Sequence, residues 1–239
     1  MPEPESYELG RAWNQETSEA SNMGSPLVLK HLQPLAKGNV RLVFEHPETP
    51  DLLVKVMRPD LVAARYGEGA AWFRRRRRHG SYVLFLREIR EYVAGYASAG
   101  HALSFAQKVC GLVETDLGLG LVTEAARGAD GKLAPTVAKL IQVGDFDEAA
   151  EAALERFLNG LLESDLVVSD LHERNIVYAC GPDGARTFVM IDGLGCSNLL
   201  PFKGWFRSVN RRSKEKRVAR LRRRIALRVA ALLEGKPMA

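Results

Sequence analysis

The run Ser169-Asp170-Leu171-His172-Glu173-Arg174-Asn175-Ile176-Val177 constrains this chain more than any other, because a β-hairpin after it returns to the same place. An aspartate and an asparagine stand five residues apart in a short polar loop. A strand over 176–179 leads away, Gly181-Pro182-Asp183-Gly184 turns the chain, and a strand over 187–191 returns to deliver Asp192 ahead of Gly193. A chain built this way brings two carboxylates and an amide to one end of a β-hairpin. Phosphoryl transfer uses such a set: one carboxylate orients the attacking hydroxyl, while an amide and a second carboxylate hold Mg²⁺ on the phosphates. Asp-x4-Asn alone is also what a solvated helix–strand loop looks like. The hairpin that returns Asp192 tips the reading towards a site.

The remaining elements are legible from period and punctuation. Short strands are expected over 26–29 with Leu35, over 41–44 and over 52–57, separated by Lys37-Gly38-Asn39 and by the turn His46-Pro47-Glu48-Thr49-Pro50-Asp51. Residues 58–80 read as a polar connection rich in Gly and Arg, with Arg74 to Arg78 inside it. Residues 83–97 form a helix by spacing, with Leu86, Ile89, Val93 and Tyr96 on one face. Strands over 109–115 and 119–124 flank Asp116-Leu117-Gly118. A helix over 146–163 repeats Ala149, Ala153, Phe157 and Leu161 after an acidic first turn. The last helix, 213–233, lines up Val218, Leu221, Ile225, Val229 and Leu232. Lys55 sits among valines in the 52–57 strand, where an ammonium is costly to bury unless it meets anions. The alternative is an edge strand with Lys55 turned to water.

Asp170-Leu171-His172-x-x-Asn175-Ile176 resembles the catalytic loop of protein-kinase-like phosphotransferases, in particular the aminoglycoside-phosphotransferase branch. From about residue 30 to 202 the chain resembles the bacterial PhoP-regulatory-network protein family of the YrbL type. Three ordered runs carry the likeness: Gly38-x-x-Arg41-x-Val43-Phe44-x-His46-Pro47, Val113-Glu114-Thr115-Asp116-Leu117-Gly118-Leu119-Gly120-Leu121-Val122, and Ile191-Asp192-Gly193-Leu194-Gly195. The likeness omits the first residues and the basic tail.

The resemblance implies an α+β, bilobal protein-kinase-like fold with a reduced C-lobe. A disordered arm over 1–25 would precede an N-lobe over 26–124, a C-lobe over 125–202 and a basic helix over 203–239. It implies ATP and Mg²⁺ as cofactors, Asp170 as the residue that orients the acceptor, and Asn175 and Asp192 as metal ligands. Lys55 would position the phosphates, paired with a glutamate of the 83–97 helix. Glu88 lies beside the Phe85 and Tyr92 edge of the apolar stripe and Glu91 nearly opposite it, so Glu88 is the expected partner. Both could instead face solvent. Gly38 and Arg41 fall where a loop would cover the phosphates, although a single glycine between strands usually just makes a turn. Backbone groups between Glu124 and Ala126 would meet the adenine at the interlobe hinge. His172 reads as a structural hydrogen-bonding residue, with a phosphate contact as the alternative.

Two departures bear on the acceptor. Val168-Ser169 stands where protein kinases carry His-Arg, and only about forty residues follow Gly195. Neither suits a protein-substrate platform, so a small-molecule or unusual acceptor is expected beside a protein one. A nucleotide-binding pseudokinase acting as a regulatory protein stays open.

Charge raises a third possibility. From Lys203 onward 13 Lys and Arg face only Glu215 and Glu234, a balance of +11, which leaves the preceding chain at −6 of the total +5. Such a tail could act as an adaptor for nucleic acid or an anionic membrane surface. Its continuous apolar stripe favours a helix packed on the domain with a solvated arginine face. No apolar run reaches membrane-spanning length, and the first residues lack signal-peptide order. Cys110, Cys180 and Cys196 match neither a zinc nor a disulfide pattern, so a cytoplasmic location is expected. The five histidines are scattered and propose no metal site.

Overall fold

The computed structural model describes residues 25–72, 76, 78–181, 183–195 and 207–234. The arm expected over 1–25, all but its last residue, lies outside these residues, as do most of Arg74 to Arg78, Cys196 and both ends of the 203–239 tail.

Five strands make the N-lobe sheet: β1 (Ala36–Lys37), β2 (Arg41–Glu45), β3 (Leu52–Met57), β4 (Val109–Thr115) and β5 (Gly118–Glu124). Their order is β1-β2-β3-β5-β4, and every neighbouring pair is antiparallel. β3 is therefore central, with Lys55 opposite Val43 on one side and Leu121 on the other. That removes the edge-strand alternative for Lys55. Alternation along β3 sends Val54 and Val56 into a cluster with Leu27, Leu29 and Phe44. Met57 on the opposite face joins Phe85 and Leu121, and Lys55 points with it.

The strand expected over 26–29 is instead a segment with a single bridge, Leu27 to Thr115. It is pinned by the Asp116 carboxylate, which accepts the N–H of Leu29 at 2.8 Å and of Lys30 at 3.2 Å. Within the expected connection 58–80 lies a helix, α1 (Pro59–Tyr66), with Pro in its first turn and no buried residue. Without a buried face it has no apolar period to announce it.

Helix α2 (Val83–Ala99) also departs from its expected face. It buries Phe85, Glu88 and Gly95, while Val93 and Tyr96 are 58% and 51% exposed. The apolar period is a poor guide here because a charged residue, Glu88, is drawn inward by cations from the sheet.

The C-lobe consists of α3 (Val137–Val143), α4 (Glu148–Glu163), the hairpin β6 (Ile176–Cys180) and β7 (Arg186–Met190), and α5 (Arg207–Leu233). Thr136 and Asp147 cap α3 and α4 by accepting the N–H of Lys139 at 3.1 Å and Ala150 at 2.8 Å. Leu158, Leu161, Ile176, Phe188 and Met190 form one core with Val218, Leu221 and Ile225 of α5. The terminal helix is thus part of the lobe. The segment between α2 and β4 joins the lobes: Gln107 donates its N–H to Met190 O, and Met190 donates to Phe105 O, both at 2.9 Å. The result is α+β and bilobal, a five-stranded sheet with α2 packed on it above a mostly helical lobe that carries the β6–β7 hairpin.

Candidate active site

Two backbone pairings bring the loop and the hairpin end together. Ile191 donates its N–H to Asn175 O at 2.9 Å, continuing the β6–β7 ladder past its last register pair, Ile176 with Met190. One residue beyond Asp192, Gly193 O accepts the N–H groups of Ser169 at 2.8 Å and Asp170 at 3.1 Å. Asp192 is held between these pairings, so Asp170, Asn175 and Asp192 share one end of the hairpin. Asn175 Nδ2 donates to the Asp170 carboxylate at 3.2 Å, which leaves its carbonyl oxygen as the end able to ligate a cation. Asp170 itself is exposed.

Gly193 allows the two segments to meet. Its φ is +86°, and a Cβ there would stand 2.2 Å from Asp170 O. No other residue type fits both conditions.

Across the lobe junction Lys55, Glu88, Arg41 and Asp192 form one chain of charges, the first three buried and Asp192 half-exposed at its end. Lys55 Nζ donates to Gln107 Oε1 at 2.6 Å, to Ile191 O at 2.7 Å and to Glu88 Oε2 at 3.3 Å. Glu88 is thus the helix partner, whereas Glu91 accepts the Val167 N–H at 2.8 Å and steadies the lead into the loop. Arg41 reaches inward from β2 and pairs with both Glu88 and Asp192. Burial pushes the Lys55 ammonium below its ordinary value despite Glu88. For Arg41 burial is outweighed by Glu88 and Asp192, which raise it. Burial alone would raise Asp192, but Arg41 and Lys55 overcome it and hold that carboxyl below the usual range. Asp192 Oδ1 also accepts the Gly193 N–H at 2.6 Å.

The other expected positions are less engaged. Gly38 closes a turn by donating to Arg41 O at 2.9 Å, with ordinary space around it. At the hinge, Glu124 O accepts from Gln107 Nε2 at 2.9 Å, and Ala126 O accepts from Ala134 at 2.9 Å. The Ala126 N–H has no partner among the described residues.

Several contributors carry no sequence signal. Gln107 links Lys55 to the hinge, yet a lone glutamine after Phe105-Ala106 matches no motif. Glu173 is 1% exposed and lies 3.1 Å from Arg228, 3.5 Å from Arg224 and 3.3 Å from His172. It ties the loop to α5. The His172 ring nitrogen that faces Glu173 also lies 3.3 Å from the Arg174 N–H, the structural contact expected. Lys214, 1% exposed, donates to Leu161 O at 2.6 Å and to Ser164 O at the end of α4, and burial pushes it down to about 8. A cation there also suits the negative end of the helix.

Comparison with known proteins gives the chain its relatives. A family model described as PhoP regulatory network protein YrbL matches residues 27–226. Uncharacterized protein YrbL of Escherichia coli is 24% identical over 215 residues, covering 87% of this chain and 92% of the relative. The protein of the same description from Shigella flexneri gives the same figures. Among solved structures, WbdD aligns with a TM-score of 0.41 and 18% identity over 71% of this chain. A second WbdD structure, with a kinase inhibitor, gives 0.40 and 14% over 66%. The chain spans about a third of WbdD, 33% and 32% in the two cases. Among the described residues no helix is long and apolar enough to cross a membrane.

Proposed function

The chain belongs to the family of the PhoP regulatory network protein YrbL, and we propose that it works as an atypical kinase-like phosphotransferase using ATP and Mg²⁺. The observation that carries this reading is the convergence of the buried Lys55–Glu88 pair with Asp192, one residue from the Gly193 carbonyl that fixes Asp170. The donor chemistry fits Mg²⁺, which is usually held by one or two protein oxygens and completed by phosphates and water. Asn175 and Asp192 would supply the protein oxygens. The space is narrower: the cavity bounded by Glu88, Gln107 and Asp192 holds about 10 Å³, and Arg41 occupies Asp192. Nucleotide entry therefore requires Arg41 to give up Asp192.

Each residue then has a physical task. Lys55, held by Glu88 and Gln107, presents an ammonium to the phosphates. The Ala126 N–H offers the adenine a hydrogen bond. Mg²⁺, when bound, neutralises charge on the phosphates. Asp170 accepts a hydrogen bond from the acceptor hydroxyl and takes its proton. The acceptor oxygen bonds to the γ-phosphorus as the bond to ADP breaks and ADP leaves with its electron pair. Positioning and charge neutralisation supply most of the acceleration.

Arg41 on Asp192 favours one second reading, a nucleotide-binding regulatory protein without turnover. Thermal-shift titration with ATP and Mg²⁺ on wild type and Asp192→Ala separates the cases. At a hundred times Kd, binding adds about 2.7 kcal/mol, a rise of roughly 5–10 °C for a chain of this size. We expect a Mg²⁺-dependent rise that Asp192→Ala loses; no rise in wild type sinks both readings. Phosphoryl transfer abolished in Asp170→Asn with nucleotide binding intact marks an enzyme, and no transfer by wild type marks the regulator.

A further inference from the structure

Helix α5 turns a wall of arginines towards Asp170. A cavity of about 310 Å³ is lined by Asp170 and Leu171 from the loop and by Arg217, Arg220, Arg223, Arg224 and Leu227 from the helix. Steps of three and four residues keep Arg217, Arg220, Arg224 and Leu227 along one side. Val218, Leu221 and Ile225 anchor another side in the core, so α5 cannot roll its arginines away.

Most cations elsewhere on α5 are already matched. Arg207 pairs with Asp165, Arg211 with Glu215, Arg222 with Glu155 and Arg228 with Glu173. The cavity arginines differ. Arg217, Arg220 and Arg223 have no hydrogen bond or ion pair with any described residue. Arg224 gives Nη2 to Leu171 O at 2.6 Å, and its Nε makes an ion pair with Glu173 at 3.5 Å without a hydrogen bond, whereas the buried Nε of Arg217 has no partner of either kind among the described residues. Buried donors left unpaired are costly, and four guanidiniums round one carboxylate repel each other. The missing partner is an anion, and it would lie beside the carboxylate that orients the acceptor.

Resting on the phosphotransferase reading above, we propose that this cavity is the acceptor site, and that the acceptor is a small hydroxyl-bearing molecule already carrying phosphate or carboxylate groups. Arginine's planar fork recognises both groups by paired hydrogen bonds. The volume sits at the lower end of small-molecule sites. A strand of nucleic acid would follow a continuous basic stripe, whereas these arginines converge on one concavity, and outside it on α5 Arg207, Arg211, Arg222 and Arg228 are paired. The acceptor's anionic end binds the arginines, its hydroxyl meets Asp170, and the product carries one phosphate more than the acceptor.

The test uses the full chain with a non-hydrolysable ATP analogue and Mg²⁺ at saturation, so that added anions cannot report the nucleotide site. Inorganic phosphate, glucose 6-phosphate, citrate, glucose and a short single-stranded RNA are then titrated by calorimetry. Wild type is compared with Arg220→Glu/Arg223→Glu and Arg220→Lys/Arg223→Lys. Both positions are exposed and unpaired, so folding is retained, and the lysine pair controls for it. The small anions are expected to bind and glucose not to. Charge reversal should weaken anion binding about ten- to a hundredfold, with lysine restoring part of it.

Equal anion binding in all three proteins, no anion binding to wild type, or glucose binding as well as its phosphate overturns the acceptor assignment. Nucleotide stabilisation would meanwhile keep the phosphotransferase reading. No nucleotide stabilisation in wild type overturns that reading instead. RNA that binds far tighter than the small anions, and is lost on charge reversal, gives the arginines to nucleic acid and overturns the small acceptor.

Discussion

Replacing Gly193 by alanine measures how closely the candidate site is held. A residue with a Cβ at φ +86° meets a left-handed cost of about 1–2 kcal/mol. The new Cβ would also stand 2.2 Å from Asp170 O and 3.0 Å from its carbonyl carbon, where ordinary contact begins near 3.4 Å. The two segments must therefore part by about 1 Å, which overpacking data place at roughly 1–3 kcal/mol. Parting stretches the bonds from Ser169 N, Asp170 N and Ser169 Oγ to Gly193 O, now 2.8, 3.1 and 3.0 Å. The expected loss is about 2–5 kcal/mol out of a total of roughly 5–15 kcal/mol. Gly144→Ala is the control, because Gly144 has φ +81° with nothing within 4 Å of a Cβ. It should lose only the conformational cost, about 1–2 kcal/mol. Urea denaturation followed by circular dichroism gives both values. If the two variants lose the same amount within about 0.5 kcal/mol, the extrapolation error being of that order, the close approach of Gly193 to Asp170 is not real. In a transfer assay Gly193→Ala should fall about a hundredfold, since a misplacement near 1 Å costs that much, while Gly144→Ala should keep its rate.

Glu173→Gln removes a fully buried charge from two guanidiniums and should destabilise the protein by about 2 kcal/mol in urea, discounted because Arg224 and Arg228 are partly exposed. An unchanged midpoint would show that the loop does not depend on α5. Lys214 gives a pH effect. Its folded value near 8 lies below the ordinary 10.5, so between them the unfolded chain holds more protons. Stability from this group is absent below about pH 8, grows through the window and is complete above about 10.5, reaching at most about 3 kcal/mol. The difference between wild type and Lys214→Met should widen with pH there; a flat difference refutes it. Arg41→Ala should lower the melting temperature of the free protein and enlarge the increment given by ATP and Mg²⁺, since Glu88 and Asp192 lose their counterion. A smaller increment would mean that Arg41 serves the phosphates.

Residues whose neighbours lie close in sequence, or whose strands repeat with period two, were the readable ones. Asp170, Asn175 and Asp192 sit on a loop and hairpin whose turn chemistry is local, and Lys55 stood out as a charge inside an apolar strand. Glu88 could be chosen over Glu91 from the helical wheel, although the face that α2 buries differs from the apolar stripe. Its burial follows from two cations on strands far away in sequence. The illegible parts share that non-locality. Gln107 bonds to Lys55 across 52 residues, and Arg224 bonds to Leu171 across 53. Asp116, in the middle of a family motif, serves the fold by capping a segment that makes only one bridge.

The involvement of α5 in the loop sets an order of events when the chain is made. All pairings of the N-lobe sheet fall within residues 36–124 and can form early. The loop bearing Asp170 acquires its counterions only with Arg224 and Arg228, and Leu161 its cap only with Lys214. Domains mature as synthesis proceeds, N-terminal parts first. The bracing of the Asp170 loop is therefore among the last features this polypeptide gains, and a nascent chain halted before α5 holds a finished sheet beside an unbraced loop.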